Sequence, residues 1–387
     1  MNDNRRRRPV VIVDDDEPEA KRIRLDKAVM PTPTPTTTLD SKGDLHLVVG
    51  SDVRDGDPST FLVCSRALAR SSPVFEKMLF GPFVESRPSP ESSKQKSAWV
   101  VHLPEDDPDH MEAVLNILHF NFKEISRRFA PPLFSGMIVI ADKYDCIGIF
   151  KPWVDYCIPH AQFSNIYHPK FALHIAWQLG SILRFKAAMA VIVDQSFISE
   201  DGRISIVPKA WLQDEEASVT GPQDLCKYLG DLVPAEIVDQ IRDQRAKLIN
   251  ATMEPFITLH EDLANSRERC PIPAHQEECD KMLLGSLIRS FRKTVIEEAT
   301  RDAARRYRGT ILDLQQSLDS VELRGRSLLG TSHHDDFLRA CRLDVEKRLE
   351  KGQRSQLLEK AKKGDTIVLL PGQEERLRRQ AVKSGLQ

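Results

Sequence analysis

The sequence contains no CxxC pair. Its seven cysteines are scattered along 387 residues, and an odd set at such spacings does not read as a disulfide framework but points to a reducing compartment. Net charge is nearly absent: 55 basic and 57 acidic side chains leave −2, so no global field selects nucleic acid or a membrane surface. Long apolar runs are missing too. Behind the four arginines Arg5, Arg6, Arg7 and Arg8 stands an apolar stretch of only four residues, Val10–Val13, too short for a secretory core or a membrane span. No internal repeat is present.

The short motifs of catalysis are lacking as well. There is no phosphate-binding glycine loop, no HExxH, no GxSxG and no glycine fingerprint behind a strand. The acids Glu105, Asp106 and Asp107 fall at a helix start, where carboxylates satisfy free amides and the helix dipole. Cys270, His275 and Cys279 are separated by four and three residues, with Cys226 available as a fourth ligand. Zinc needs four ligands at tetrahedral positions, and the tight spacing of structural sites is not here. Pro271 and Pro273 suggest a loop leading into a helix, with Cys279 as a small core residue. The expectation is therefore no catalytic residue, no cofactor and no metal.

What is present begins with an arm. Residues 1–40 are charged and proline-rich, ending in alternating Pro and Thr, and such a segment has little apolar surface with which to order itself. Order begins at Asp44. Leu45, Leu47 and Val49 alternate onto one strand face, and Asp55-Gly56-Asp57-Pro58 turns the chain into a second strand, Phe61–Cys64. Ser72-Pro73 supplies an N-cap and a proline at the first helical position, ahead of Val74, Phe75, Met78 and Leu79. Residues 86–97 read as an insertion loop, and Ala98–Leu103 as a third strand. Asp107-Pro108 caps a helix with Met111, Val114, Leu115 and Leu118 at i, i+3, i+4 and i+7. Further helices are expected from Pro131 to Ile140 and from Cys146 to Tyr156.

Beyond residue 160 the pattern is helical: His168–Val193, Pro234–Leu263, and a long amphipathic helix over 280–324. The last carries Leu284, Ile288, Phe291, Val295, Ala299 and Ala303 as its stripe. From Arg339 onward 13 basic and 7 acidic residues suggest a solvated tail. The reading is an α+β domain followed by a mainly α-helical one: arm 1–40, first domain 41–160, helical domain 161–330, and a charged helical or disordered tail 331–387.

Two signals lie in the arm. Val10, Val11, Ile12 and Val13 followed by Asp14, Asp15, Asp16 and Glu17 resemble a SUMO-interacting motif, in which a peptide adds a strand to a sheet edge. The plain alternative is a β-prone patch arising by chance. Arg5–Arg8 and the cluster Lys21, Arg22 and Arg24, twelve residues further on, resemble a bipartite nuclear import signal read by an import receptor. Ordinary solvated charge is the alternative. The first implies SUMO or sumoylated partners, the second a nuclear location, with the cytoplasm also open.

The order from Asp44-Leu45-His46-Leu47-Val48-Val49 through the Phe61–Leu79 strand and helices to Trp99–Pro108 and Ala141–Cys146 resembles a BTB/POZ domain. The last two segments look like the fungal version. The resemblance implies short strands followed by a helical cluster, a function in binding other proteins, and no catalytic group. Asp44 matches the acid that opens the family's first strand, while Cys64 stands where the family commonly has histidine. Phe83, Val84 and Glu85 resemble the apolar-x-acid segment by which many BTB domains grip a cullin; the plain alternative packs Phe83 back on the core and leaves Glu85 solvated. Relatives that swap strands have an ordered apolar segment before the first strand. Here Pro-Thr repeats precede it, so a monomer or weak homodimer is expected.

The functional expectation is a non-catalytic protein-interaction factor, a nuclear scaffold or regulator. Its rivals are a substrate adaptor of a cullin-type ubiquitin ligase, for which no kelch or MATH module is present, and an enzyme with a site in the helical half. A peptide spanning Val10–Glu17 should bind SUMO with micromolar affinity, as short segments that order on binding do. Changing Ile12 and Val13 to Ala should remove it. NMR titration checks this, and unmoved SUMO resonances below millimolar peptide would leave only the chance patch.

Overall fold

The computed structural model describes residues 36–53, 58–88, 98–154, 169–207, 221–265, 276–322 and 367–386. Residues 1–35, the 89–97 part of the expected insertion loop, and residues 323–366, which include 331–366 of the expected tail, lie outside them. The described chain is α+β, with two small sheets and a helical C-terminal half.

The first sheet is built on the expected hairpin. Strands β2 (Leu45–Val49) and β3 (Ser59–Val63) pair antiparallel from Leu45 opposite Val63 to Val49 opposite Ser59. β1 (Thr37–Thr38) joins β3 in parallel, and β4 (Val100–Leu103) joins β2 in parallel, giving the order β1-β3-β2-β4. Helix α1 (Ser65–Ser71) receives no cap from its own N-cap residue. Asp44 supplies it from across the hairpin, accepting from Ser65 N and Ser65 Oγ, each at 2.8 Å. Helices α2 (Pro73–Phe80), α3 (Pro108–Leu118) and α4 (Pro131–Lys143) follow. Ser72 caps α2 by accepting from Phe75 N, and Asp107 caps α3 by accepting from Asp109 N and His110 N. Tyr144 stacks on Phe75 at 4.1 Å and donates to Asp106 at 2.5 Å, and Lys143 meets the same carboxylate at 2.7 Å. The expected core residues Leu47, Val49, Phe75, Leu79, Val101, Leu115 and Leu118 are all 2% exposed or less. The expected helix from Cys146 to Tyr156 is instead a 3-10 helix, Ile147–Trp153, with Pro152 inside it, since proline removes an amide and blocks regular α-helical continuation.

The helical half differs from the expectation at its breaks. His168–Val193 divides into α5 (Pro169–Leu179) and α6 (Ile182–Gln195) at Gly180, whose φ is 78°. A small antiparallel sheet was not foreseen: β5 (Ser196–Ile198), β6 (Ile204–Ile206) and β7 (Gln223–Asp224), leading into the short helix α7 (Leu225–Leu229). Helix α8 (Glu236–Ala264) lies where a helix is expected, over Pro234–Leu263. The single helix expected over 280–324 is three: α9 (Gln276–Phe291), α10 (Arg301–Arg306) and α11 (Ile311–Leu318). Thr300 and Thr310 each cap a new start by accepting from Ala303 N and Asp313 N, and side-chain capping of this kind competes with helix continuation. The stripe breaks accordingly, with Ile288 and Val295 exposed and Leu283 and Leu287 buried instead. Arg245, buried on α8, donates to the carbonyls of Ser196, Tyr307 and Gly309, tying the small sheet to the α10–α11 connection.

Two hydrophobic cores meet at α5. Ile175 and Leu179, one turn apart, belong to the core of the N-terminal half, whereas Ala172, Leu173, Ala176 and Trp177 belong to the second core. A boundary near residue 160 therefore leaves two of the first core's side chains on the far side. The tail is the clearest correction. Its last described segment, helix α12 (Pro371–Ser384), is docked along one face: Leu377 and Ala381 are buried, and Ser384 Oγ donates to Leu179 O at 2.7 Å. Net basic composition hid an apolar stripe with a ready partner.

Gly180 makes this docking possible twice over. Its φ lies in the region that L side chains seldom adopt, and a Cβ there would overlap Ala381 N and Leu377 O. Gly180→Ala should destabilise the full chain by about 2–5 kcal/mol from backbone strain and overpacking together. A surface change such as Lys247→Ala, at an exposed position of α8, should stay within about 0.5 kcal/mol. Urea unfolding measures both, and equal midpoints for Gly180→Ala and the parent would show that α12 does not depend on this approach.

Candidate partner-binding surface

At the end of α2 the chain makes a turn that is ordered by one hydroxyl. Ser86 Oγ accepts from Phe83 N at 3.1 Å and shares its proton between the carbonyls of Met78, at 3.2 Å, and Gly81. Ser86 N returns to Phe83 O, and Arg87 N reaches back to Leu79 O at 2.9 Å. From the strand side, Trp99 Nε1 donates to Glu85 O at 2.9 Å, and the Trp99 ring meets Phe80 edge-on at 6.1 Å. The backbone of the turn is thus held from both flanks.

The side chains on it point outward. Phe83 is 56% exposed, Val84 is fully exposed, Phe80 is 42% exposed and Glu85 is exposed beside them. The plain expectation for this segment, with Phe83 folded back on the core, is not what the structure has. Apolar side chains on a rigid element lose little ordering entropy when covered, which suits them to docking. Sequence reading missed Phe80 and Trp99. A tryptophan just ahead of a strand, following a serine- and proline-rich stretch, was the available signal.

A second exposed aromatic pair follows α3. Phe120 takes φ 57°, an uncommon conformation for a bulky residue, and its ring lies 6.1 Å from that of Phe122. Asn121 between them is anchored to Asn116 Oδ1 and Leu39 O. Nearby, His119 Nδ1 donates to Leu115 O and its Nε2 accepts from Cys64 N at 3.0 Å. An imidazole therefore does stand beside Cys64, though it comes from a different part of the chain. Burial holds its pKa below the ordinary value.

Among the other residues singled out from sequence, Arg5–Arg8, Val10–Asp16, Lys21, Arg22 and Arg24 lie outside the described residues. So do Cys270 and His275. Cys226 is exposed on α7 and Cys279 buried on α9, and among the described residues no group of three His, Cys, Asp or Glu could hold a metal ion. No described helix is long and apolar enough to cross a membrane. Ser135 Oγ and His174 Nδ1 lie 2.7 Å apart, the distance of a nucleophile and its base, but Ser135 is buried in the junction of α4 and α5 and lines no described cavity. The chain matches no protein-family model and no curated protein.

The buried imidazoles give the fold a pH dependence of known sign. Burial lowers His174 from 6.5 to about 4, and His119 moves in the same direction. Below pH 6.5 the unfolded chain binds protons that the folded one refuses, so stability is full above that value and is lost as pH falls toward 4. The urea midpoint should decline through the upper part of this window, above the carboxylates. His174→Gln should flatten the decline without abolishing it, because His119 remains. An identical slope in parent and variant would contradict the assignment.

Proposed function

We propose that the chain is a non-catalytic protein-interaction factor with a BTB/POZ-like N-terminal half, and that the Phe80, Phe83 and Val84 turn is its partner-binding surface. One observation carries this reading: apolar side chains exposed on a backbone held by Ser86 and Trp99. Exposed apolar groups that stand together beside polar ones mark interaction sites on soluble proteins. Short strands followed by a helical cluster are what the BTB/POZ resemblance implies for this region, and the hairpin and helices found there support it. The arm would route the protein to the nucleus through Arg5–Arg8 and Lys21–Arg24 and bring in SUMO or sumoylated partners through Val10–Asp16.

A second reading, the cullin adaptor, has its own support in Glu85. Its carboxylate stands exposed next to Phe83 and Val84, as an apolar-x-acid grip requires. The helical half would then receive the substrate.

Affinity purification with mass spectrometry, comparing the parent with Phe83→Ala/Val84→Ala, tests both. Since neither side chain is buried, the variant's urea midpoint should stay within about 0.5 kcal/mol of the parent. A defined partner set should disappear with the variant. Cullin in that set selects the adaptor, and other proteins select the scaffold. An unchanged set would remove the turn as the binding surface.

A further inference from the structure

Helix α5 carries one polar stripe on an otherwise apolar surface: Lys170, His174 and Gln178, each four residues from the next. That spacing stacks the three side chains on one face. The stripe forms the floor of a cavity of about 460 Å³ along the seam between the two halves. Val139 and Asp142 of α4 line one side. Lys227 and Tyr228 of α7, with Leu229–Leu232 behind them, line the other. This volume is at the lower end of the range for small-molecule sites.

Three features of the cavity ask for the same kind of ligand. His174 is 2% exposed, and among the described residues its one hydrogen bond lies between Nδ1 and Ser135 Oγ; with the Ser135 hydroxyl donating, the ring's own proton stands on Nε2. Ser135 does not line the cavity, so Nε2 is the polar atom the ring has to offer it. The Lys170 ammonium lies 4.8 Å from the Phe171 ring centre and 5.3 Å from that of Tyr228. It has no carboxylate partner among the described residues; burial alone pushes its pKa down. Tyr228 stays protonated at neutral pH, since burial pushes its pKa up to about 12. A half-buried cation without an anion, beside an imidazole with a free nitrogen, is an electrostatic arrangement left incomplete.

We propose that this seam cavity binds a small organic anion, a carboxylate or phosphate head on an apolar body. The head sits between Lys170 Nζ and His174 Nε2, and the body lies against Val139, Tyr228, Leu229 and Leu232. Ser135 is the positioning residue that turns the imidazole so that Nε2 faces inward. Asp142 and Asp231 stand exposed on the rim, where they disfavour ligands carrying a second negative charge at the mouth. The site is separate from the Phe83 turn, and its test is independent of what binds there.

The test uses the full chain and four probes of similar size: benzoate, phenyl phosphate, benzylamine and benzyl alcohol. Calorimetry and the imidazole nitrogen resonances of ¹⁵N-histidine-labelled protein are the readouts. Benzoate or phenyl phosphate should bind saturably with a dissociation constant in the millimolar range or below and move the His174 Nε2 resonance; which of them binds tighter distinguishes a carboxylate from a phosphate head. Lys170→Gln should weaken that binding about tenfold or more, the worth of one charge-assisted hydrogen bond. Benzylamine and benzyl alcohol should give no saturable change. Equal binding of benzylamine, binding unchanged in Lys170→Gln, or a His174 resonance that no anion moves would each overturn the proposal. The comparison among probes on the parent protein stands even if the variant folds poorly.

Discussion

Helix α5 has no free apolar face. Ile175 and Leu179 are fully buried in the first core, and Leu173, Ala176 and Trp177 are buried in the second. Every other part of the architecture is arranged around that sharing. Neither half can complete its core without the helix, and the helix cannot be covered without both halves. Helix α12 then covers what remains. Leu377 enters the second core, Arg376 lies over the Trp177 ring at 4.7 Å, and Lys383 reaches Asp145 at 3.4 Å. These contributions differ greatly in size. The Lys383–Asp145 pair is half-exposed and worth about 0–1 kcal/mol, whereas truncating a fully buried leucine costs about 2–5 kcal/mol. Apolar burial decides the docking, and the ion pair only sets its register.

How much of this was readable in advance follows from the range of the information. Ser72-Pro73, Asp107-Pro108 and the alternation of Leu45, Leu47 and Val49 are local signals, each sufficient to specify a cap or a strand face within a few residues. The corresponding elements occur where they were expected. The breaks in the helical half were harder. Thr300 and Thr310 lie within what reads as one continuous stripe, whereas each accepts an amide and starts a helix of its own. The role of Asp44 as a cap for α1, twenty-one residues away, depends on the hairpin having formed. Gly180 and the fate of the tail were least legible, because the reason for the glycine is Ala381 and Leu377, two hundred residues further along.

The same reasoning separates the surfaces with functional potential. The Phe83 turn contained a visible pattern, but its value as a surface rests on Ser86 and Trp99, which hold the backbone while leaving the side chains free. The polar stripe of α5 was invisible because each member is ordinary alone. Lys170, His174 and Gln178 acquire meaning only when α4 and α7 wall them in. In the proposed reading a partner-binding turn and an anion cavity occupy one scaffold. The cavity lies on the seam where the two halves share a helix, so an occupant would touch both.

The central claim is that the two halves form one cooperative unit through α5. Trp99 and Trp177 are buried in different cores, so each reports on its own half. In full-length variants retaining only one of these tryptophans, with the others changed to Phe, urea unfolding followed by fluorescence should give a single transition at one midpoint for both probes. Two separate midpoints, with Trp99 and Trp177 lost at different urea concentrations in equally stable variants, would contradict it.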